Sequence, residues 1–377
     1  MAKAKLQKLD QQNLLRSLQE TGRDEACNVI RAGQNLISFC CNDYLGLSQN
    51  PDVKNAAVNA VLEYGVGAGA SRLVTGNHPL YEQLESLLAN IKGTEAALVF
   101  GSGYLANLGV PPVIAGRNDL IVADELSHAS MRAGIRASTA DSVLFRHNDI
   151  LNCRAILKQK RHKYKNCLLM TEGVFSMDGD LAPLADLCNL AEEFDSIILT
   201  DDAHGFGVLG QGRGSAAELG VSDRISLQMG TLSKSVGVYG GFICASRAVI
   251  DLLVNRGRSL IYATGLPPSV VAAAVASLKI IQTNKKLTNL PILNARRFSR
   301  RLGLPDADSP IIPIITKTSK KALESSQKLM NEGFLVTAIR PPTVPEGTAR
   351  LRFTFSARHR KEEIDRLAAT VLKIGLV

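Results

Sequence analysis

Short apolar runs alternate with helix-like segments between residues 96 and 231, and every one of these runs leads into polar residues. The runs at 96–100, 120–123, 167–170, 196–200 and 225–229 lead into Gly101 and Gly103, Asp124, Glu172, Asp201 and Thr231. Buried apolar strands separated by helices predict an α/β fold whose mostly parallel sheet is covered on both faces. Because such sheets bind ligands at the carboxyl ends of their strands, these polar residues are candidates for a functional site.

The chain is too long for a single hydrophobic core, since such cores stop growing at about 250–300 residues and this chain has 377. Beyond residue 311 short apolar runs again alternate with helical segments, which end in an amphipathic helix at 362–374. Near the start, Leu14, Leu15 and Leu18 stand at helical spacing and predict a helix before an extended segment. We predict a large α/β domain at 45–270 and a smaller α+β domain built from both termini, at 1–44 and 271–377.

Composition limits the compartment and the chemistry. The N-terminus lacks the apolar core of a signal peptide, and no run approaches the ~18 apolar residues of a membrane-spanning helix. We therefore expect a cytoplasmic protein without a membrane partner. The seven cysteines show no CxxC spacing, so we expect reduced core thiols, with no disulfide framework and no metal site.

The net charge of +9 is concentrated in basic clusters at 158–165, 256–258 and 296–301. Nucleic-acid binding is the first interpretation of such clusters, but no nucleic-acid module accompanies them, so we expect no nucleic-acid partner. Two interpretations stay open at this point. The clusters are either solvated helix faces or an attraction for an anionic substrate such as an acyl-CoA or an acyl-carrier protein.

Lys234 is unusual because its neighbours are small or apolar residues. It follows Met229-Gly-Thr-Leu-Ser233 and precedes the glycine-rich stretch 237–241. Partial burial disfavours an ammonium ion and favours a nucleophilic amine that can bind a carbonyl compound covalently. Thr231, Ser233 and Ser235 add hydroxyls that could bind a phosphate. A lysine beside phosphate ligands indicates pyridoxal phosphate (PLP); the alternative is a loop lysine that covers a turn.

Asp201 and His204 lie three residues apart just after a predicted strand, and they gain meaning beside Lys234. An aspartate at the pyridine nitrogen of PLP keeps that nitrogen protonated, and a histidine near the phenolic oxygen tunes the cofactor. His128 follows another predicted strand and could stack on the ring. Taken alone, each of these histidines is more often structural than functional.

Five motifs together resemble the α-oxoamine synthases, which are PLP-dependent enzymes of fold type I with an aspartate aminotransferase-like architecture and acyltransferase activity. The resemblance covers residues 36 to 360, and its ten-residue motif beginning at Thr171 is highly specific. The motifs are Asn42-Asp-Tyr-Leu-Gly-Leu47, Ser127-His-Ala-Ser130, Thr171-Glu-Gly-Val-Phe-Ser-Met-Asp-Gly-Asp180, Asp201-Asp-Ala-His-Gly205 and Thr231-Leu-Ser-Lys234.

The resemblance implies roles for the residues at matching positions. Lys234 is implied to bind the cofactor covalently, Asp201 to pair with the pyridine nitrogen and His204 to contact the phenolic oxygen. His128 is implied to stack on the ring and, with Lys234, to act in catalysis; Glu172 is implied to order the site. The other implied cofactor ligands are Gly103 and Tyr104 on the phosphate side, together with Ser176 and Thr231.

The resemblance also implies substrates and partners. Asn42 and Arg352 are implied to hold an amino-acid carboxylate, and Arg16 and Thr343 to contact substrate. The segment 338–352 is most similar to family members that condense L-alanine with pimeloyl-CoA or pimeloyl-acyl-carrier protein in biotin synthesis. Glycine-using members, which make 2-amino-3-ketobutyrate or 5-aminolevulinate, are the alternative. Because fold-type I enzymes build each site at a subunit boundary, a homodimer is implied.

Overall fold

The computed structural model describes residues 1–24 and 26–377. In chain order, the strands are β1 Gly22–Arg23, β2 Asn28–Arg31, β3 Gln34–Ser38, β4 Ala96–Phe100, β5 Leu120–Asp124, β6 Asp141–Phe145, β7 Cys167–Glu172, β8 Ile197–Asp201, β9 Leu227–Thr231, β10 Gly241–Ala245, β11 Ile311–Lys317, β12 Phe334–Leu335, β13 Thr337–Ile339 and β14 Ala349–Thr354.

The helices follow in the same order. They are α1 Ala2–Gln11, α2 Pro51–Tyr64, α3 Leu80–Lys92, α4 Gly103–Gly109, α5 Pro111–Ile114, α6 Ala129–Ala137, α7 Ile150–Lys160, α8 Leu184–Glu193, α9 Ser215–Glu218, α10 Arg247–Arg256, α11 Arg258–Ile261, α12 Pro268–Thr283, α13 Lys285–Arg301, α14 Ser319–Asn331 and α15 Lys361–Lys373. Within the described residues, none of these helices combines the length and the apolar character that crossing a membrane requires.

The chain divides into two compact units. The larger unit contains Leu47–Ser176 and Asp180–Asn289, and the smaller unit contains Met1–Gly46, Met177–Gly179 and Leu290–Val377. The smaller unit therefore draws on both ends of the chain and on a three-residue segment from the middle.

A seven-stranded sheet forms the centre of the larger unit, in the order β4-β10-β9-β8-β7-β5-β6. The five strands from β9 to β6 are parallel, whereas β10 runs antiparallel between β4 and β9. Most of its strands are buried along their whole length because helices cover both faces, and one apolar cluster includes Phe100 and Met229 while another includes Phe145 and Leu169. The expected mostly parallel α/β sheet is confirmed.

Polar residues end four of the parallel strands at one edge of this sheet. Asp124, Glu172, Asp201 and Thr231 are the last residues of β5, β7, β8 and β9. Glu172 and Asp201 are direct neighbours in the register of β7 and β8. Parallel strands end at the same edge, so the sheet gathers these side chains where α/β folds bind ligands.

The smaller unit contains two sheets. One is antiparallel with the order β11-β14-β13, and the other has the order β1-β2-β3-β12. Phe39, Phe298, Phe353 and Phe355 lie fully buried in its core. The central strand β14 is buried at every position although it carries Arg350 and Arg352, so both arginines need partners inside the unit.

At the N-terminus a helix precedes an extended segment as predicted, but the prediction was wrong about its position, because the helix lies before the three leucines on which it rested. Helix α1 ends at Gln11, and Leu14 and Leu18 lie outside any helix. Leu18 is fully exposed and α1 buries no residue. Apolar spacing does not by itself form a short helix in water, because most helical stability in proteins comes from packing of the apolar face.

Candidate active site

Lys234 lies in the loop after β9, where it contacts His204, another of the predicted cofactor ligands. Its Nζ atom is 2.7 Å from Nε2 of His204, which is buried. The loop needs glycine at position 237, where φ is +77° and a Cβ atom would lie 2.5 Å from the backbone nitrogen of Ser48. The glycines after Lys234 thus shape the loop that presents the amine.

Asp201 ends β8 beside this amine-bearing loop. One carboxylate oxygen accepts a hydrogen bond from the backbone N–H of Ala203, 3.0 Å away, and the other accepts from Nδ2 of Asn107 at 2.6 Å. Sequence reasoning gave Asn107 no role. The signal that could have identified it is its position as a polar residue on the inner face of a helix that follows a glycine-rich loop.

His128 is connected to the same carboxylate through two side chains. Its Nδ1 atom lies 2.6 Å from Oγ of Ser130, and Ser130 Oγ lies 3.0 Å from Nδ2 of Asn107. His128 keeps an exposed surface, yet the packing around its ring lowers the pKa of the imidazole; Asp201 opposes this shift and Lys234 adds to it. Ser130 is a second residue that the sequence left without a role.

Glu172 is a buried carboxyl group beside Asp201. Burial raises its pKa well above the usual range, the negative charge of Asp201 adds to the rise, and Lys234 opposes it. Its Oε2 accepts a hydrogen bond from the backbone N–H of Ser176 at 3.2 Å. Its Oε1 is buried without a hydrogen-bond partner among the residues described. The raised pKa favours the protonated, uncharged form of this carboxyl group.

The predicted phosphate ligands lie close together around the end of β9. A Cβ atom at Gly103 would lie 3.4 Å from Cβ of Thr231, so glycine lets the start of α4 approach this strand. Thr231 Oγ1 donates to the carbonyl of Gly240 at 2.9 Å. Gly103 and Tyr104 are the first residues of α4, where backbone N–H groups lack acceptors within the helix.

The predicted substrate ligands lie in the smaller unit as two bonded pairs. Arg352 Nη1 donates to Oδ1 of Asn42 at 3.0 Å, and Arg16 Nη2 donates to Oγ1 of Thr343 at 3.1 Å. Tyr44, which sequence reasoning did not single out, places its hydroxyl 3.4 Å from Nη2 of Arg352. The structure thus brings together residues that are more than 300 positions apart in the chain.

Arg350 is another residue to which the sequence gave no role. It lies on β14 and donates to the carbonyl of Met177 at 3.1 Å, and it forms an ion pair with Asp178. These contacts hold the segment that immediately follows Ser176 in the chain.

Three of the four arginines in the basic cluster at 296–301 form ion pairs with acidic neighbours. Arg297 and Arg301 both form ion pairs with Asp365, and Arg300 pairs with Asp306. This arrangement is that of a solvated helix face whose charges are paired locally.

Comparison with known proteins places the chain in a family. The family model for aminotransferase class I and II matches residues 34–371. The chain belongs to the class I and II aminotransferase family. Its relatives in that family include the 8-amino-7-oxononanoate synthase of Beijerinckia indica, 53% identical over 370 residues, which cover 98% of this chain and 96% of the relative. The synthase of the same name from Methylocella silvestris is 55% identical over 347 residues, covering 92% and 99%.

Solved structures of the aminotransferase family have the same fold. A serine palmitoyltransferase from S. paucimobilis, solved with PLP and myriocin bound, aligns with a TM-score of 0.93 and 30% identity over 100% of this chain and 98% of its own. An 8-amino-7-oxononanoate synthase from Francisella tularensis aligns with a TM-score of 0.75 and 27% identity over 90% and 97%. The fold-type I architecture expected from the sequence is confirmed.

The residues of the larger unit fit the PLP of this aminotransferase family. They include an amine on Lys234, a carboxylate on Asp201 and a histidine that is hydrogen-bonded to the amine. These groups match the cofactor in chemistry.

Proposed function

We propose that the chain is an 8-amino-7-oxononanoate synthase, a PLP-dependent acyltransferase of biotin synthesis that acts in the cytoplasm. It joins L-alanine to the acyl group of a pimeloyl thioester, carried by CoA or by an acyl-carrier protein, and releases CO2 and the free thiol. The observation that carries the proposal is two hydrogen-bonded pairs, Lys234–His204 and Asn107–Asp201, in a chain more than half identical to synthases of this name over almost its whole length.

Lys234 has two proposed tasks. Its Nζ atom holds the cofactor covalently before substrate arrives, and as a free amine it then removes the proton from Cα of alanine. The hydrogen bond between His204 and Nζ holds this atom in place for both tasks. When bound, PLP supplies an electron-withdrawing ring that stabilises negative charge on the amino-acid Cα.

The other residues of the larger unit are proposed to hold the cofactor. Asp201 keeps the proton on the ring nitrogen, His204 contacts the phenolic oxygen and His128 stacks on the ring. Gly103, Tyr104, Ser176 and Thr231 are the remaining proposed cofactor ligands, and Glu172 fixes the Ser176 backbone through its hydrogen bond.

The proposed substrate ligands pair with the charge of the substrate and set its orientation. Arg352, buried and held by Asn42 and Tyr44, binds the carboxylate of alanine through a charge-assisted pair. Arg16 and Thr343 are proposed to contact substrate as a hydrogen-bonded pair. His128 donates a hydrogen bond to the thioester oxygen as negative charge develops there.

We also propose that the protein acts as a homodimer. Leu62, Val66, Leu73 and Val74 expose from 54% to 80% of their surface within one short segment of the larger unit. Apolar side chains concentrated in this way indicate a surface that another molecule covers. A second copy of this chain is the occupant to which the proposal commits.

Two measurements test the proposed function. Borohydride reduction of the purified yellow protein, followed by peptide mapping, should place the cofactor on Lys234; a label on another lysine contradicts the assignment. Thiol release should then be fastest with L-alanine and pimeloyl-CoA when L-alanine, glycine and L-serine are each combined with pimeloyl-, acetyl- and succinyl-CoA. Fastest turnover with glycine and a short acyl donor would favour the glycine-using alternative.

A further inference from the structure

We infer that Ser130 and Asn107 are positioning residues that hold His128 as a neutral imidazole with its proton on Nε2, and that they connect its ring to the carboxylate of Asp201. The use of that proton in catalysis rests on the proposed function. The hydrogen-bond chain itself does not.

His128 is the N-cap of helix α6. Its Nδ1 atom accepts a hydrogen bond from the backbone N–H of Ser130, 3.2 Å away. A ring nitrogen that accepts a hydrogen bond carries no proton, so the neutral ring has its proton on Nε2. The N-terminus of a helix also disfavours a positive charge, which opposes formation of the imidazolium ion.

The direction of each hydrogen bond between His128 and Asp201 can be worked out from the Asp201 carboxylate. Asp201 Oδ2 lies 2.6 Å from Asn107 Nδ2 and can only accept, which fixes the orientation of the Asn107 amide. The second hydrogen on Nδ2 points to Ser130 Oγ at 3.0 Å. The Ser130 hydroxyl is then directed at Nδ1 of His128, 2.6 Å away. Nδ1 thus accepts from both the hydroxyl and the backbone of Ser130.

The two middle members of the hydrogen-bond chain, Asn107 and Ser130, are buried and closely packed. Asn107 and Ser130 each expose 1% of their surface. A Cβ atom at Gly134 would lie 2.0 Å from the backbone oxygen of Asn107, so a glycine allows α6 to approach α4 this closely. Asn107 Oδ1 is buried and has no hydrogen-bond partner within residues 1–24 and 26–377. Such an oxygen is costly, which argues that Asn107 is kept for the two bonds that its Nδ2 atom makes.

Titratable groups from three elements lie around His128. Asp201 ends β8 and favours the imidazolium ion, Lys234 in the loop after β9 disfavours it, and Glu172 ends β7 with a raised pKa. Packing around the ring is the largest influence and lowers the pKa of His128, although the residue keeps an exposed surface. The net effect, a lowered pKa, agrees with the neutral form that the capping hydrogen bond requires.

A fixed neutral imidazole has a chemical consequence. His128 offers an Nε2–H donor to a developing oxyanion while the ring stays a neutral imidazole. Ser130 and Asn107 touch neither substrate nor cofactor in this scheme. They act by setting the tautomer and the direction of the ring.

NMR of protein labelled with ¹⁵N-histidine tests the inference. The full chain has six histidines, and the signal of His128 is the one that His128→Gln removes. We expect the wild type, with and without added PLP, to keep an Nε2–H imidazole between about pH 6 and pH 8, around the ordinary histidine pKa. Ser130→Ala keeps the backbone donor to Nδ1 but loses the shorter contact of the hydroxyl, so the share of the Nδ1–H tautomer should rise above that of the wild type and the His128 titration should move to higher pH. Asn107→Ala should change both in the same direction, because the Ser130 hydroxyl is no longer held toward Nδ1.

A buried serine outside the proposed hydrogen-bond chain provides the matched control. Ser277→Ala removes a buried serine hydroxyl that lies on α12 without a hydrogen-bond partner among the described residues, and it should leave the His128 signals unchanged. A proton on Nδ1 of wild-type His128, or an imidazolium ion at neutral pH, overturns the inference. So does a Ser130→Ala spectrum identical to that of the wild type. If a variant does not fold, the wild-type spectrum alone decides the tautomer.

Kinetic measurements distinguish a role of Ser130 in positioning His128 from a role in binding the amino acid. Ser130→Ala should lower kcat by about 10- to 100-fold, the loss found where residues that orient metal-bound histidines are removed, while the Kd for the amino acid stays unchanged. An unchanged kcat overturns the positioning role. Because the NMR readout needs neither PLP nor substrate, it keeps its meaning if the proposed function fails.

Discussion

Lys92 and Asp202 form an ion pair inside the larger unit, with Nζ 3.1 Å from Oδ2 and only 2% of either side chain exposed. Lys92 also donates to the carbonyl of Arg213 at 2.8 Å, and both carboxylate oxygens of Asp202 accept from the backbone N–H of Ser215 at 3.1 Å. Asp202 follows directly after Asp201. The pair therefore anchors the turn that begins at the proposed cofactor-binding carboxylate.

Lys92→Met should lower the free energy of unfolding by about 3–5 kcal/mol, because it leaves a buried carboxylate without its counter-ion. The double variant Lys92→Met/Asp202→Asn should recover part of this loss. Arg154→Met, which breaks an exposed pair with Glu193, should cost at most about 1 kcal/mol. Urea denaturation followed by circular dichroism measures all three. Equal losses for Lys92→Met and Arg154→Met would contradict the prediction.

His147 should make stability depend on pH in the alkaline range. Its ring nitrogens lie 3.1 Å from Asp124 and 2.9 Å from Asp180. Burial is the largest single influence and lowers the pKa, but the hydrogen bonds and charges of the two carboxylates together outweigh it and raise the pKa of His147 to about 10. Since the folded pKa is the higher one, the added stability is complete below about pH 6.5 and is lost as the pH rises through 10.

The comparison of wild type with His147→Gln isolates this effect. Between about pH 6.5 and pH 10 the wild type should lose about 1.5–3 kcal/mol more than the variant, the value of a hydrogen bond to a charged group. His162→Gln, at an exposed position in the turn after α7, should follow the wild-type profile. Parallel profiles for wild type and His147→Gln would show that the imidazole does not bridge the two carboxylates as a cation.

Arg352→Ala should weaken binding of L-alanine by about 2–4 kcal/mol, because a charge-assisted contact to the carboxylate is lost. Arg352→Lys should lose less, since it keeps the charge but not the two-pronged geometry. Cofactor absorbance should remain in both variants, and titration with L-alanine gives the Kd. Unchanged alanine affinity in Arg352→Ala would remove this residue from the proposed substrate site.

Val66→Glu should shift the protein toward monomers, with at least a 10-fold rise in the dimer Kd, because burying a valine contributes about 1.5–3 kcal/mol. Leu151→Glu makes the same kind of change at another exposed apolar residue, on α7, and should leave the assembly intact. Sedimentation velocity measures both. A wild type that is active and monomeric at assay concentration rules out the proposed dimer.

Local sequence predicted most of the sheet. Strand β4 was predicted with the bounds that the structure has, and β5, β7, β8 and β9 within two residues, because continuous apolar runs ending in polar residues are typical of buried parallel strands. Strand β6 was missed, and so was strand β10. The five residues of β10 follow a glycine-rich loop, and nothing in their pattern indicates that they pair antiparallel between β4 and β9.

The division of the chain depends on packing in the same way. From the sequence we placed boundaries at residues 44 and 270, whereas the compact units meet at residues 46 and 289 and the smaller unit includes Met177–Gly179. The composition of such a three-residue segment does not indicate that it packs in the smaller unit. Arg350 binds the backbone and side chain of this segment, and that contact joins residues far apart in the chain.

The sequence by itself determined the family, the α/β architecture and the reactive lysine, since all three depend on local patterns: apolar period, glycine placement and contiguous motifs. Only the tertiary structure decided which polar groups meet. Asn107, Ser130 and Asp201 lie on α4, α6 and β8, and their hydrogen bonds exist because Gly134 lets two helices approach and because the register of parallel strands ends Asp201 beside them. Such contacts depend on distances between residues remote in sequence, which no local pattern records.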